Sequence, residues 1–173
     1  MDFGSRRQQD RAVGAETLGV GVRNMYEEQN ELDRLKASRE DRDDLLKRGT
    51  WFDSEKVAAL TGAGAQPDPS EYASRLRRER RLFGVRYKGR YLHPDFQFRE
   101  SGDVHPAMAQ LLEVLPVTDA NWTAAFWLFQ PHGRFRGKSP SEVFQDHANE
   151  VVDVACEDFL TGPYNGDAVV PRG

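Results

Sequence analysis

Asp68-Pro-Ser-Glu-Tyr-Ala-Ser-Arg-Leu-Arg-Arg-Glu-Arg-Arg-Leu-Phe-Gly-Val-Arg-Tyr-Lys-Gly-Arg-Tyr-Leu92 decides the fold. Asp68 suits a helix N-cap, Pro69 suits the first helical position, and Glu71 stands three residues after the cap. Together they predict a helix running to about Arg81. After Leu82 the period changes. Phe83, Val85 and Tyr87 alternate with Gly84 and Arg86, the period of a strand. Lys88-Gly89 offers a tight turn and Arg90-Tyr-Leu92 a returning strand, so a β-hairpin follows the helix. Phe96-Gln-Phe98, beyond Pro94, is read as a continuation of that hairpin. Upstream, a shorter helix opens at Asp53 or Ser54, covers Glu55 to Leu60 and is capped by Gly62. A loop through Gly64-Ala-Gln-Pro67 separates the two helices.

The C-terminal half reads as helical. Pro106 opens a helix whose Met108, Leu111, Leu112 and Leu115 share one face, and Pro116 ends it. Trp122, Phe126 and Phe129 line up on another, with Pro131 beyond its end; Trp122, Phe126 and Trp127 are read as core. Ser139-Pro140-Ser141-Glu142 is a second capping box. Val143, Phe144, His147, Val151, Val152, Ala155, Phe159 and Leu160 then repeat at helical spacing, with a break expected near Asp146 and a stop at Gly162-Pro163.

At the other end, residues 1–18 read as a flexible tail. Val20 to Lys47 favours helix, but its apolar stripe is interrupted across the charged run Ser38 to Asp44. That predicts either one exposed helix or two helices with a charged joint. The expected organisation is a tail at 1–18, a helical segment at 19–50, a helix-turn-helix-like module with hairpin at 51–99, a helical domain at 103–164 and a tail at 165–173. The fold class is mainly α with a small β-hairpin.

Charge is segregated along the 173 residues. The net charge is −4, yet residues 71–99 carry nine Lys/Arg against three Asp/Glu, and residues 100–173 are strongly acidic. A basic centre of this kind points to an anionic partner. The single cysteine, Cys156, excludes an internal disulfide and is read as a small buried hydrophobe. No apolar run approaches a membrane span and no signal peptide opens the sequence, so a cytoplasmic protein without membrane contact is expected. His93, His105, His132 and His147 lack helical ligand spacing and no Cys-x-x-Cys occurs. No metal, cofactor or catalytic residue is therefore expected. Gly137-Lys-Ser139 lacks the upstream glycine and buried strand of a phosphate loop.

Helix, turn, helix and hairpin is the order of a winged helix-turn-helix, whose second helix enters the DNA major groove. Arg75, Arg77, Arg78, Arg80 and Arg81 crowd that helix, and Arg86, Lys88 and Arg90 decorate the hairpin. These eight are the candidate DNA-binding residues. On a continuous helix Arg77, Arg80 and Arg81 share a face, as do Arg75 and Arg78, with Tyr72 and Leu76 turned inward. The bland alternative is a solvated face, or arginines that hold the acidic C-terminal half. Trp51-Phe-Asp-Ser-Glu-Lys-Val-Ala-Ala-Leu-Thr-Gly62 resembles the opening of MerR-like and excisionase-like DNA-binding domains, although Gly64 to Pro67 makes the turn longer than theirs.

Residues 103–164 carry Val104-His-Pro-Ala-Met-Ala109, Trp127-Leu-Phe-Gln-Pro131, Gly137-Lys-Ser-Pro140, Val151-Val-Asp-Val-Ala155 and Gly162-Pro-Tyr164, in that order. With these blocks the segment resembles the toxin-binding domain of Xre/MbcA/ParS-type antitoxins. Tyr91 to Phe98 is similar to the linking segment of longer members. Arg136 stands where the family has a first glycine, and Thr161 where histidine is common. The resemblance implies a homo-oligomeric antitoxin that neutralises a cognate toxin protein of the NAD-consuming RES type and represses its own operon by binding operator DNA. It implies toxin contacts at Lys138, Glu150, Asp153 and Glu157, and at Tyr164, Asn165 and Arg172 on a tail that reaches toward the toxin's active site. The rival readings are a stand-alone winged-helix regulator whose C-terminal domain oligomerises, and a protein-interaction adaptor without a DNA role.

Overall fold

A computed structural model of the chain describes residues 36, 38–63, 68–116 and 119–161. This part is mainly helical, with one small antiparallel sheet. The chain divides into two compact units, Met1–Asp44 and Leu45–Gly173. Residues 38–46 are helical and are labelled α1. The charged run from Ser38 to Asp44 is itself helical; Arg39 and Asp43, four residues apart, are opposite charges on one face. The tail at 1–18 and the helix from Val20 to Leu35 lie outside the described residues, as do the 64–67 loop and everything after Thr161.

The second unit runs β1 (Trp51–Phe52), α2 (Ser54–Leu60), α3 (Pro69–Arg78), β2 (Val85–Tyr87), β3 (Arg90–Pro94), α4 (Ala107–Val114), α5 (Trp122–Phe129) and α6 (Pro140–Cys156). Two aspartates start the first pair of helices. Asp53 accepts from Lys56 N at 2.8 Å, and Asp68 accepts from Ser70 N at 2.9 Å and Glu71 N at 3.1 Å. Each such cap is worth about 1 kcal/mol. α2 and α3 then close over a small core of Val57, Ala73, Leu76, Leu82 and Phe98.

The sheet has the order β1-β3-β2 and is antiparallel throughout. Lys88 and Gly89 both take positive φ, 46° and 84°, the requirement of a two-residue turn whose twist matches the flanking strands. Trp51 pairs with Pro94 and Phe52 with His93, a strand of two residues that the sequence pattern did not announce. Phe96-Gln97-Phe98 does not extend the hairpin. Asp95–Gln97 is a 3-10 turn, and Phe98 makes an isolated bridge to Val104. The turn is stabilised by the buried Gln97 side chain, which folds back to bond Phe83 N, Phe83 O and Pro94 O.

In the helical half, α4 buries Met108 and Leu111, with Leu115 just beyond its end. α5 is buried on almost every side, through Trp122, Ala124, Ala125, Trp127, Leu128 and Phe129. α6 opens on Ser139, whose backbone N–H and hydroxyl both donate to Glu142 Oε2 at 2.7 Å. Those two bonds hold the exposed Glu142 carboxyl below its usual range. The expected break falls at His147 (φ −131°, ψ 36°), one residue beyond Asp146. The kink turns His147 to solvent and passes its place in the buried stripe to Ala148. A π-helical turn over Glu157–Thr161 shifts the phase again, burying Phe159 and leaving Leu160 exposed. The wider turn places five residues where a regular helix places fewer, so the apolar spacing stops predicting the buried face. Cys156 is half-buried, not buried, for it lies off the Val151, Val154 and Ala155 stripe.

One core joins the two oppositely charged stretches. Phe83, Val85 and Phe96 belong to the same cluster as the buried faces of α4, α5 and α6. The Phe96 ring stands edge-on to Phe144 at 5.4 Å and to Phe129 at 6.0 Å. Gln145 Nε2 donates to Phe96 O and to Phe98 O, and Trp122 Nε1 donates to Arg86 O at 3.2 Å. Among the described residues no helix is long and apolar enough to cross a membrane.

Candidate nucleic-acid interface

α3 is fastened to the hairpin by a buried polar joint. Alternation along β3 puts Tyr91 and His93 on one face, and both meet Arg77 of α3. The Arg77 guanidinium lies 3.7 Å from the Tyr91 ring centroid, and its Nη1 is 3.4 Å from His93 Nε2. Because arginine only donates, Nε2 of His93 accepts, and Nδ1 carries the proton that it donates to Phe83 O at 2.8 Å. Phe83 N donates to Gln97 Oε1 at 2.8 Å. Burial pushes the His93 pKa down to about 4, and the Arg77 charge adds to that against the pull of the Phe83 carbonyl. Burial likewise lowers Arg77 from its usual range, opposed by Tyr91; it stays charged. Gly84 leaves the imidazole its room: a Cβ there would stand 2.6 Å from His93 Nδ1.

α3 ends three residues before the predicted Arg81. Arg80 turns left-handed at φ 52°. Arg81 N bonds Leu76 O at 2.9 Å and Arg80 N bonds Arg77 O at 3.0 Å, the pair of bonds that closes a helix in a Schellman motif. This corrects the helical-face argument: Arg80 and Arg81 lie beyond the helix, and Arg77 does not share a face with them. Arg77 follows the buried Ala73 by four residues, so it faces β3 and leaves the set of free DNA-contact candidates. That spacing was the available signal.

The other candidates are exposed. Arg75 stands 5.4 Å from the Tyr72 ring, Arg78 pairs with Glu71 at 2.7 Å, and Arg81 pairs with Glu79 at 3.3 Å. Both ion pairs are well solvated, so each is worth under about 1 kcal/mol and yields readily to a stronger anion. On the hairpin, Arg86 lies opposite Tyr91 in the ladder. Opposed residues point to the same side of the sheet, so Arg86 shares the face that meets α3. Arg90 lies opposite Tyr87, on the other face, where Tyr87 meets Trp122 at 6.1 Å. Lys88 sits at the turn, 4.7 Å from the Tyr87 ring. The structure therefore groups Arg75, Arg78, Arg80 and Arg81 on α3 and its closing turn, adds Arg86 on the facing side of the hairpin, and sets Arg90 apart.

Of the acidic-half candidates, Lys138, Glu150, Asp153 and Glu157 are exposed. Glu157 pairs with Arg134 at 2.7 Å, and Glu150 lies 3.6 Å from His147 Nδ1. Tyr164, Asn165 and Arg172 lie outside the described residues. One cluster here had no sequence signal, because its members are far apart in the chain. Asp158 Oδ2 accepts from Trp127 Nε1 at 2.7 Å and lies 3.1 Å from His132 Nε2, anchoring the π-helical turn. Among the described residues no group of three or more His, Cys, Asp or Glu is arranged to hold a metal ion.

The chain matches no protein-family model and no curated protein. A solved structure is similar to it: the NMR structure of Rv2175c, at 26% identity and a TM-score of 0.50. The likeness covers 62% of this chain and 79% of that one.

Proposed function

We propose that this chain is a DNA-binding regulatory protein in which α2, α3 and the β2–β3 hairpin act as a winged helix-turn-helix. The observation that carries the reading is the cationic surface formed by Arg75, Arg78, Arg80 and Arg81 together with Arg86 on the α3 side of the hairpin. Each arginine that meets a phosphate releases counterions, so affinity for operator DNA falls steeply with salt. Arg75 and Arg78, on the exposed flank of α3, are also suited to guanine edges in a major groove. Glu71 holds Arg78 in the free protein, and a phosphate takes its place on binding.

The test is binding of a duplex from upstream of the chain's own gene, at several salt concentrations, by the wild type and by Arg75→Ala/Arg78→Ala/Arg81→Ala. The triple variant is expected to lose affinity by about 100-fold at unchanged melting temperature. Equal binding by both proteins refutes the assignment.

The exposed acids of α6 favour a second role on the same chain, in line with the antitoxin resemblance. Glu150, Asp153 and Glu157 fall on one flank of α6 and its terminal turn, beside the exposed Leu160. In this reading they and Lys138 meet a cognate toxin protein, with Tyr164, Asn165 and Arg172 following into it. Co-expression with the product of the adjacent gene tests it. Rescue of growth that Glu150→Lys/Asp153→Lys abolishes supports an antitoxin. Absence of rescue with DNA binding intact leaves the stand-alone regulator, and absence of both leaves the adaptor.

A further inference from the structure

A cleft of about 250 Å³ opens between the closing turn of α3 and the end of α4. Its lining mixes two chemistries: the exposed Arg78 and Arg80 supply cations, and the half-buried Leu112 with the edges of the buried Leu82 and Leu115 supplies an apolar wall. Arg77 also reaches the cleft, but its guanidinium is committed to Tyr91 and His93. Arg78 is held only by an exposed pair with Glu71. Two residues lining the cleft take left-handed backbone without being glycine: Arg80 at φ 52° and Asn121 at 69°. Such conformations cost about 1 kcal/mol or more each and persist where the surroundings hold them in place.

We infer that this cleft binds a small amphipathic monoanion, an apolar chain or ring bearing one carboxylate, with the carboxylate on Arg80 and Arg78 and the apolar body against Leu82, Leu112 and Leu115. A planar guanidinium offers a carboxylate paired donors. A polyanion such as a nucleotide would set charge against leucines, leaving polar groups without partners. A neutral apolar molecule would desolvate the arginines without compensation. A DNA phosphodiester brings no apolar body for the leucine wall. The volume admits roughly a dozen non-hydrogen atoms, below the usual drug-sized range.

Occupancy has a consequence that rests on the DNA-binding reading. The ligand neutralises Arg78 and Arg80, two of the proposed phosphate contacts, so ligand and operator compete.

The experiment is calorimetric titration of the full chain with two probes, decanoate and indole-3-acetate, with acetate and decan-1-ol as controls. At least one probe is expected to bind with 1:1 saturation, and each control at least about tenfold more weakly. Arg80→Gly is the chosen variant, because glycine accepts the φ of that position and the fold is kept. It should weaken the bound probe about tenfold, and Leu112→Gln should do the same through the apolar wall. The proposal falls if neither probe saturates, if acetate binds as well as the probes, or if Arg80→Gly binds them as tightly as the wild type. A parallel duplex-binding assay separates the two claims. Probe binding without DNA binding leaves the cleft standing and removes the operator. DNA binding without probe binding does the reverse.

Discussion

The Arg77 guanidinium lies 3.7 Å from the centroid of the Tyr91 ring, joining α3 to β3. A partly desolvated cation–π contact of this kind is worth about 1–2 kcal/mol. Arg77→Ala is therefore expected to destabilise the protein by about that amount and, under the proposed DNA-binding function, to weaken DNA binding, because α3 loses its seat on the hairpin. The slope of log K against log salt should stay near that of the wild type. Arg78→Ala should do the opposite: stability nearly unchanged, and a slope shallower by about 1. Denaturant titration beside salt-dependent binding measures both quantities. If Arg77→Ala flattens the salt slope, Arg77 is a phosphate contact and the joint has been misassigned.

His93 makes stability depend on pH. Its folded pKa is about 4, against an ordinary 6.5. Between those values the unfolded chain binds the proton and the folded chain does not, so stability rises with pH across this window. The contribution is fully present above about pH 6.5 and is lost as pH falls toward 4. Its size is about 3 kcal/mol by linkage. Guanidinium unfolding at pH 7, 5.5 and 4.5 should show the loss in the wild type. His93→Gln should be less stable at pH 7 but should show a flatter dependence. Parallel pH profiles for the two proteins would exclude His93 as the source.

Arg80→Gly should raise stability by about 0.5–1 kcal/mol. The left-handed position closes the α3 Schellman turn, and glycine adopts it without a Cβ clash. The same substitution should lower DNA affinity, since it removes one of the proposed phosphate contacts. A variant that is more stable yet binds DNA more weakly separates the two roles of this residue. Lower stability would mean that the Arg80 side chain makes a contact that outweighs the backbone strain.

Much of this architecture was legible in local chemistry. The aspartate caps, the proline at the start of α3, the Lys88-Gly89 turn and the Ser139-Glu142 box all depend on neighbours in sequence, and each stands where the residues indicate. What was illegible depends on distant partners or on unusual backbone. Arg77-Arg-Glu-Arg-Arg81 has no helix breaker, so an arginine at a left-handed C-terminal position left no mark. β1 is two residues long and exists only because β3 lies beside it. The five-residue π-helical turn was hidden by a helical repeat that carries on through Phe159 and Leu160. In the candidate site, the exposed arginines were found by composition alone. Arg77 is set apart from them by its place four residues after the buried Ala73.

Asp158 is the anchor of the last described turn. Its Oδ2 meets both Trp127 Nε1 and His132 Nε2. Asp158→Ala leaves a half-buried indole N–H unpaired and should cost about 1–3 kcal/mol. Unfolding followed by tryptophan fluorescence checks it, and a loss under 0.5 kcal/mol would show that solvent replaces the carboxylate at little cost. Trp127→Phe in the Asp158→Ala background should then add less than it does alone, because the two changes remove one shared bond.

The Phe96 ring, edge-on to both Phe129 and Phe144, bears on how the chain can be cut. A fragment ending near residue 100 strands Phe83 and Phe96 without their cover, and a fragment beginning there opens a hole against α5 and α6. Neither half is a portable cassette. Loss of the acidic end would uncover Phe83 and Phe96, so a cut there is expected to destabilise the arginine-bearing end as well.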